Sequence, residues 1–178
     1  MGVQSIASKL SPVVSRQEIA ESVRRLAGQL NHDYANRSLM LVAVLKGSFM
    51  FLADLVRNLE MPVQMDFTRV VCYGDRTEPT APARIISGPR IPVRGKDVVI
   101  VEDIVDTGLT TQVVLRYLCR KGATSVKLCA LLDKPERRQV PVTIDYLGMR
   151  VPNRFLVGYG LDFAEEYRQL PDIYALEE

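Results

Sequence analysis

The chain has 178 residues, 47% hydrophobic and 25% charged, with 23 Lys and Arg against 21 Asp and Glu, for a net charge of +2. That length suits a single domain, the composition excludes global disorder, and so balanced a charge leaves no electrostatic footprint for nucleic acid or an anionic membrane. Three cysteines, Cys72, Cys119 and Cys129, stand far apart without a C-x-x-C pair, which argues against zinc or a disulfide framework and for a reducing cytoplasm. The first ten residues lack the continuous apolar stretch of a secretory signal, and the longest apolar run, Leu39–Leu45, is too short to span a bilayer.

Ser15 followed by Glu18 is a capping-box pattern, and Ile19, Val23, Leu26 and Leu30 recur at helical spacing, so a helix is expected over 15–31. Leu39–Leu45 reads as a fully buried strand, broken by Lys46-Gly47-Ser48, with a helix over Phe49–Leu59. Met65–Tyr73 is strand-like. Residues 74–92 hold four of the ten prolines, which suits a long loop or a hairpin; a mobile loop is expected over about 74–88. Further strands are expected at Asp97–Val101, Val126–Leu132, Thr143–Tyr146 and Phe155–Val157, with a helix over Thr110–Lys121 ending at Gly122. Strands apolar on both faces and alternating with helices indicate an α/β fold with a mostly parallel sheet flanked by helices. Ligands of such sheets bind beyond the carboxyl ends of the strands.

The chemistry gathers at one such end. Val98–Val101 runs into Glu102-Asp103, then Ile104-Val105-Asp106-Thr107-Gly108-Leu109-Thr110-Thr111 and a helix. Glycine, threonine hydroxyls and helix-start amides can cradle a phosphate. The acids set earlier can accept hydrogen bonds from sugar hydroxyls, so a sugar phosphate fits better than a bare phosphate. The plainer alternative is a helix cap at Asp106 or Thr107 with a solvated acid pair. Two adjacent acids after four buried β-branched residues fit that alternative poorly, because a desolvated, unpartnered charge costs several kcal/mol.

The segment VVIVEDIVDTGLTT resembles the signature of the type I phosphoribosyltransferases. Leu45-Lys46-Gly47, Leu132-Asp133-Lys134-Pro135, the stretch Val151–Asp162 and Tyr167-Arg168 resemble, in order and spacing, the hypoxanthine-guanine members of that group. The resemblance covers about residues 10–175. It implies a single domain, with a core over about 35–150 and a small hood from about 1–34 and 151–178. It also implies purine salvage: Mg²⁺-dependent transfer of the 5-phosphoribosyl group from phosphoribosyl pyrophosphate to a 6-oxopurine, in a cytoplasmic homodimer or homotetramer.

Residue roles follow from the resemblance in the same way. Glu102 and Asp103 would hold the ribose hydroxyls, directly or through Mg²⁺, and Asp106 would be the general base. Thr107, Gly108, Leu109, Thr110 and Thr111 would bind the 5′-phosphate; the family often has lysine where this chain has Leu109. Lys46 and Gly47, at a turn often made with a non-proline cis peptide, would bind pyrophosphate together with Arg168. Lys134 would donate to the six-oxo group, Phe155 would stack on the purine and the Leu156 backbone would read its edge. Asp162 would sit near the metal and the base. Cys72 stands where the family usually has serine, replacing a hydroxyl with a weaker donor.

Rival readings fit less well. A pyrimidine-type member of the same fold typically lacks an acid at the Asp106 position and a match to Phe155–Asp162. A ligand sensor of the purine-repressor kind needs a DNA-binding domain, and there is no room for one before residue 15. A P-loop built on Gly88 and Gly95-Lys96 has six residues between its glycines and Asp97 where Ser or Thr must bind metal.

Overall fold

A computed structural model describes residues 10–71 and 83–177. The chain runs through β1 (Leu10–Val14), α1 (Arg16–Tyr34), β2 (Leu39–Leu45), α2 (Phe49–Arg57), β3 (Val63–Val71), β4 (Arg84–Ser87) and β5 (Asp97–Val105). It continues with α3 (Leu109–Arg120), β6 (Ser125–Asp133), a 3₁₀ turn at Pro135–Arg137, β7 (Tyr146–Arg150), β8 (Leu156–Val157) and β9 (Ile173–Leu176).

Six strands form one sheet in the order β4-β3-β2-β5-β6-β7. Every neighbouring pair is parallel except β3 with β4. Strand β2 splits the core by simple alternation. Leu39, Leu41 and Ala43 face α1 and α2, while Met40, Val42 and Val44 join Val114 and Leu118 of α3 on the other side. Burial on both faces is why β2 reads as an unbroken apolar run. A second sheet, β1-β9-β8, is built from the two ends of the described chain. Its Val14, Leu156, Ile173 and Ala175 continue the α1–α2 side of the core.

Helix α1 begins as expected. The Ser15 hydroxyl accepts from Glu18 N at 3.3 Å, and Ser15 N donates back to Glu18 Oε2 at 2.8 Å. The helix runs past the expected end at residue 31 because buried Tyr34 completes its apolar stripe. The strand expected at Thr143–Tyr146 instead spans Tyr146–Arg150, where pairing of Cys129 with Tyr146 and of Asp133 with Arg150 fixes it against β6. Within the expected loop, Arg84–Ser87 pairs antiparallel with β3 as an edge strand. The expectation for about 74–82, and that for Cys72, lie outside the described residues. Among the described residues no helix is long and apolar enough to cross a membrane.

Candidate active site

Chain direction sets the site. From β2 the chain crosses to β3 on one side, while the next central strand, β5, lies on the other. The turns after β2 and β5 therefore diverge and leave a crevice between them.

The turn after β2 is Lys46-Gly47, and the Leu45–Lys46 peptide is cis. Buried Ser48 closes it by donating to Val44 O at 2.6 Å. A Cβ on Gly47 would sit 1.8 Å from Asp103 Oδ2, so glycine is what lets the two turns meet. Gly160, in the turn after β8, packs equally close: its Cβ would lie 2.1 Å from Gly47 O. Three segments distant in sequence thus converge on one point.

Strand β5 extends beyond the expected end at Val101. Glu102 pairs with Ala130 and Val105 with Asp133, so the acid pair lies inside the strand rather than after it. Glu102 is buried, and Thr111 Oγ1 donates to its Oε1 at 3.4 Å. Burial pushes the Glu102 carboxyl well above the usual range, the Asp103 charge adds to this, and the Thr111 hydroxyl opposes it. Burial also pushes Asp103 up to about 6, against the backbone amides of Asp103 and Ile104 and the charge of Arg168. Gly108, at φ +85°, is the N-cap of α3, so neither Asp106 nor Thr107 caps the helix. The first amides of a helix lack intrahelical partners and point at whatever lies before it. A cavity of about 290 Å³ collects Lys46, Gly47, Glu102, Asp103, Asp106, Thr107, Gly108, Thr110 and Thr111 in its wall.

The acid pair carries a stability consequence. The folded value of Asp103, about 6, lies above the 3.8 of a free side chain. As pH rises from about 4 to 6, the unfolded chain releases this proton first, so the folded state loses stability and stays lowered above 6. Asp103→Asn lacks that loss. We expect the ligand-free variant to unfold with about 1–3 kcal/mol more stability than the parent at pH 8 and to match it near pH 4. Thermal or urea unfolding at both pH values checks this; an equal gap at the two would assign Asp103 an ordinary exposed carboxyl.

At the cavity wall, Asp106 sits under a strap formed by the residues after β6. Arg138 Nε donates to Asp106 O at 3.1 Å, and its Nη2 donates to Val105 O at 3.3 Å and to Asp133 Oδ1. The amides of Gln139 and Val140 both donate to Thr107 O, at 2.9 and 3.2 Å. Asp106 Oδ1 is buried without a hydrogen bond; Arg137 Nε stands 3.2 Å away but off the bonding direction. Lys134 is buried at the end of β6, and its backbone N–H donates to Val105 O at 3.0 Å. Desolvation lowers its ammonium below the usual lysine value, the Asp106 carboxylate opposes this, and Arg137 adds to it.

The turn after β8 supplies the remaining residues. Arg168 Nη1 donates to Gly160 O at 2.7 Å, and its Nη2 lies 2.8 Å from Asp162 Oδ1. Lys46 Nζ donates to Glu165 Oε2 at 2.7 Å, and Arg168 Nη2 reaches the same oxygen at 3.2 Å. Phe155 is half exposed, with the Phe163 ring edge-on at 5.6 Å. Leu156 is buried and pairs with Ala175 of β9.

The fold therefore brings the signature residues and Lys46-Gly47 into one cavity. Leu109, Lys134, Phe155, Leu156, Asp162 and Arg168 stand outside its wall. Arg168 and Asp162 are nonetheless close enough to move the Asp103 pKa, as Asp106 is to move that of Lys134. Sequence reasoning missed Phe163, Arg137, Arg138 and Glu165. Only Glu165 left a signal, its place in the charged run Glu165-Glu166-Tyr167-Arg168.

A family model of the phosphoribosyl transferase domain matches residues 12–164. The hypoxanthine-guanine phosphoribosyltransferase of Streptococcus pneumoniae is 42% identical over 166 residues, covering 93% of this chain and 92% of that one. The bifunctional protein TilS/HprT of Listeria innocua is 41% identical over 99% of this chain, which spans about a quarter (27%) of its length. The crystal structure of a hypoxanthine phosphoribosyltransferase from Staphylococcus aureus superposes with a TM-score of 0.91 at 35% identity, covering 99% of this chain and 97% of that one. With the acid pair, the cis turn and the glycine-capped helix gathered at one switch point, the chain belongs to the phosphoribosyl transferase family, among its hypoxanthine-guanine phosphoribosyltransferases.

Proposed function

We propose that this chain transfers the 5-phosphoribosyl group of phosphoribosyl pyrophosphate to a 6-oxopurine, hypoxanthine or guanine, giving IMP or GMP and pyrophosphate. The observation that carries the reading is the cavity in which buried Glu102 and partly buried Asp103 share a wall with the glycine-capped start of α3. An anion is favoured at the helix start and repelled by the acids, so the ligand must be phosphate at one end and hydroxyl-bearing at the other. Thr107–Thr111 bind the 5′-phosphate, and Glu102 and Asp103 take the ribose side. Lys46, Gly47 and Arg168 hold the pyrophosphate. Phe155 stacks on the purine, a contact worth ~1–3 kcal/mol. The Leu156 backbone reads the purine edge, and Lys134 reads the six-oxo atom. Asp106 accepts the proton that the base nitrogen loses, at the carboxylate oxygen left without a donor.

Mg²⁺ fits these residues. Burial and the Asp103 charge both raise the cost of ionising Glu102, and a hard dication beside such a pair relieves that cost. No group of three His, Cys, Asp or Glu side chains is placed to hold a metal among the described residues, so a hard cation here needs oxygens from the substrate as well. Glu102 and Asp103 would hold it, with Asp162 nearby, and there it would offset the charge of the pyrophosphate leaving group.

The reading includes a cytoplasmic enzyme that self-associates as a homodimer or homotetramer. Exposed Met65 and Phe67 on β3 supply apolar surface for such a contact, and sedimentation velocity measures the state. The decisive experiment is a spectrophotometric assay of the purified chain with phosphoribosyl pyrophosphate, Mg²⁺ and each of hypoxanthine, guanine, xanthine, adenine and uracil. Turnover with hypoxanthine or guanine and none with uracil is expected. Turnover with uracil alone would replace the reading with its pyrimidine counterpart.

A further inference from the structure

Both cations assigned to pyrophosphate are already engaged by one carboxylate of the chain. Glu165 Oε2 accepts from Lys46 Nζ at 2.7 Å and from Arg168 Nη2 at 3.2 Å. Lys46 follows β2 and Arg168 follows β8, so a single oxygen bridges two turns that share no strand. Arg168 also lies 2.8 Å from Asp162 Oδ1, which leaves these two cations balanced by two carboxylates.

The backbone aims Glu165 at this point. The turn is closed by Phe163 and Glu166, whose amides donate to each other's carbonyls at 3.2 and 3.0 Å. Glu165 N donates to Asp162 Oδ2 at 3.0 Å. Ala164 and Glu165 within the turn, and Tyr167 just after it, take φ of +53°, +72° and +75°, a region side chains avoid. Such strain persists where the surroundings fix the conformation, and it clusters at ligand clamps.

We propose that Glu165 is an affinity-determining residue of the pyrophosphate subsite, a built-in carboxylate that holds Lys46 and Arg168 and competes with the incoming diphosphate for them. The proposal rests on the subsite assignment made above. A carboxylate oxygen takes the same donors as a phosphate oxygen, with less charge. Diphosphate binding must release Glu165 from both cations. Because Glu165 is exposed, it can swing into water when released. The competition weakens the hold on any diphosphate. It matters most for free pyrophosphate, which lacks the contacts that ribose 5-phosphate makes at Thr107–Thr111.

Calorimetric titration of inorganic pyrophosphate, with Mg²⁺ present, tests this on the parent chain, Glu165→Gln and Glu165→Gly. Glycine removes the carboxylate and suits the positive φ, so it serves if the glutamine variant perturbs the turn. Thermal unfolding verifies that both are folded. We expect pyrophosphate to bind about 3- to 10-fold more tightly to both variants, with the gap closing as salt is added. Unchanged or weaker binding in the Glu165 variants overturns the proposal; weaker binding would make Glu165 a strut for the two cations instead. Lys46→Gln and Arg168→Gln test the subsite itself. If neither weakens pyrophosphate binding, the subsite assignment fails and the proposal falls with it. If they weaken binding while the Glu165 variants do not tighten it, only the competitor role fails.

Discussion

Asp106→Asn is expected to lower kcat by ~10²–10⁴ while phosphoribosyl pyrophosphate still binds. The six-oxopurine nitrogen must lose a proton as the glycosidic bond forms, and an amide cannot accept it. The geometry makes this a test of proton transfer rather than of loop structure. What fixes the loop is the Asp106 carbonyl, bonded to Arg138 Nε at 3.1 Å, together with the Val105 and Thr107 carbonyls on the same strap. None of these bonds uses the Asp106 side chain. Its Oδ1 is buried without a donor, and a buried acceptor left unmet costs about 1–3 kcal/mol, which an N–H of the purine would recover. Stopped-time assays at saturating substrate give kcat, and calorimetry with phosphoribosyl pyrophosphate gives binding. An unaltered kcat would reassign Asp106 to partnering Arg137, whose Nε lies 3.2 Å away.

How far the sequence carried depended on the range of the forces involved. Strand β2 and most of β5 and β6 were legible because burial on both faces leaves continuous apolar runs. The start of α1 was legible because a capping box is local. Strand β5 was cut short at Val101 because Glu102 and Asp103 look like a strand terminator. Only pairing with β6 keeps them in the ladder, and pairing is not local. Strands β1 and β9 are four or five residues of mixed polarity that stabilise each other from opposite ends of the chain. The site divides along the same line. The residues from Glu102 to Thr111 were legible because one strand and one turn carry them. The contact between Lys46 and Glu165 spans 119 positions, and no spacing or periodicity records it.

Lys134→Gln is expected to reduce kcat/KM for hypoxanthine by about 10- to 100-fold and to narrow the preference over adenine, which in the parent enzyme should be ~10²–10³. An ammonium has three donors and no acceptor. It can donate to the six-oxo atom of hypoxanthine or guanine. Against adenine it meets an amino group, donor facing donor, and remains buried and unmet. Burial makes that mismatch expensive. Lys134 is 5% exposed, and desolvation already lowers its ammonium below the usual value, so water offers little replacement. The Asp106 carboxylate works in the opposite direction and favours the charged form. The residue proposed to take the proton from the purine thus also helps keep the residue proposed to read it charged. Gln carries both a donor and an acceptor, so it can face either base with one weaker, neutral bond. Steady-state kinetics with hypoxanthine and adenine separate this from selection by the Leu156 backbone alone. If kcat/KM for hypoxanthine is unaltered in the variant, Lys134 is a buried strand-end residue and the base is read elsewhere.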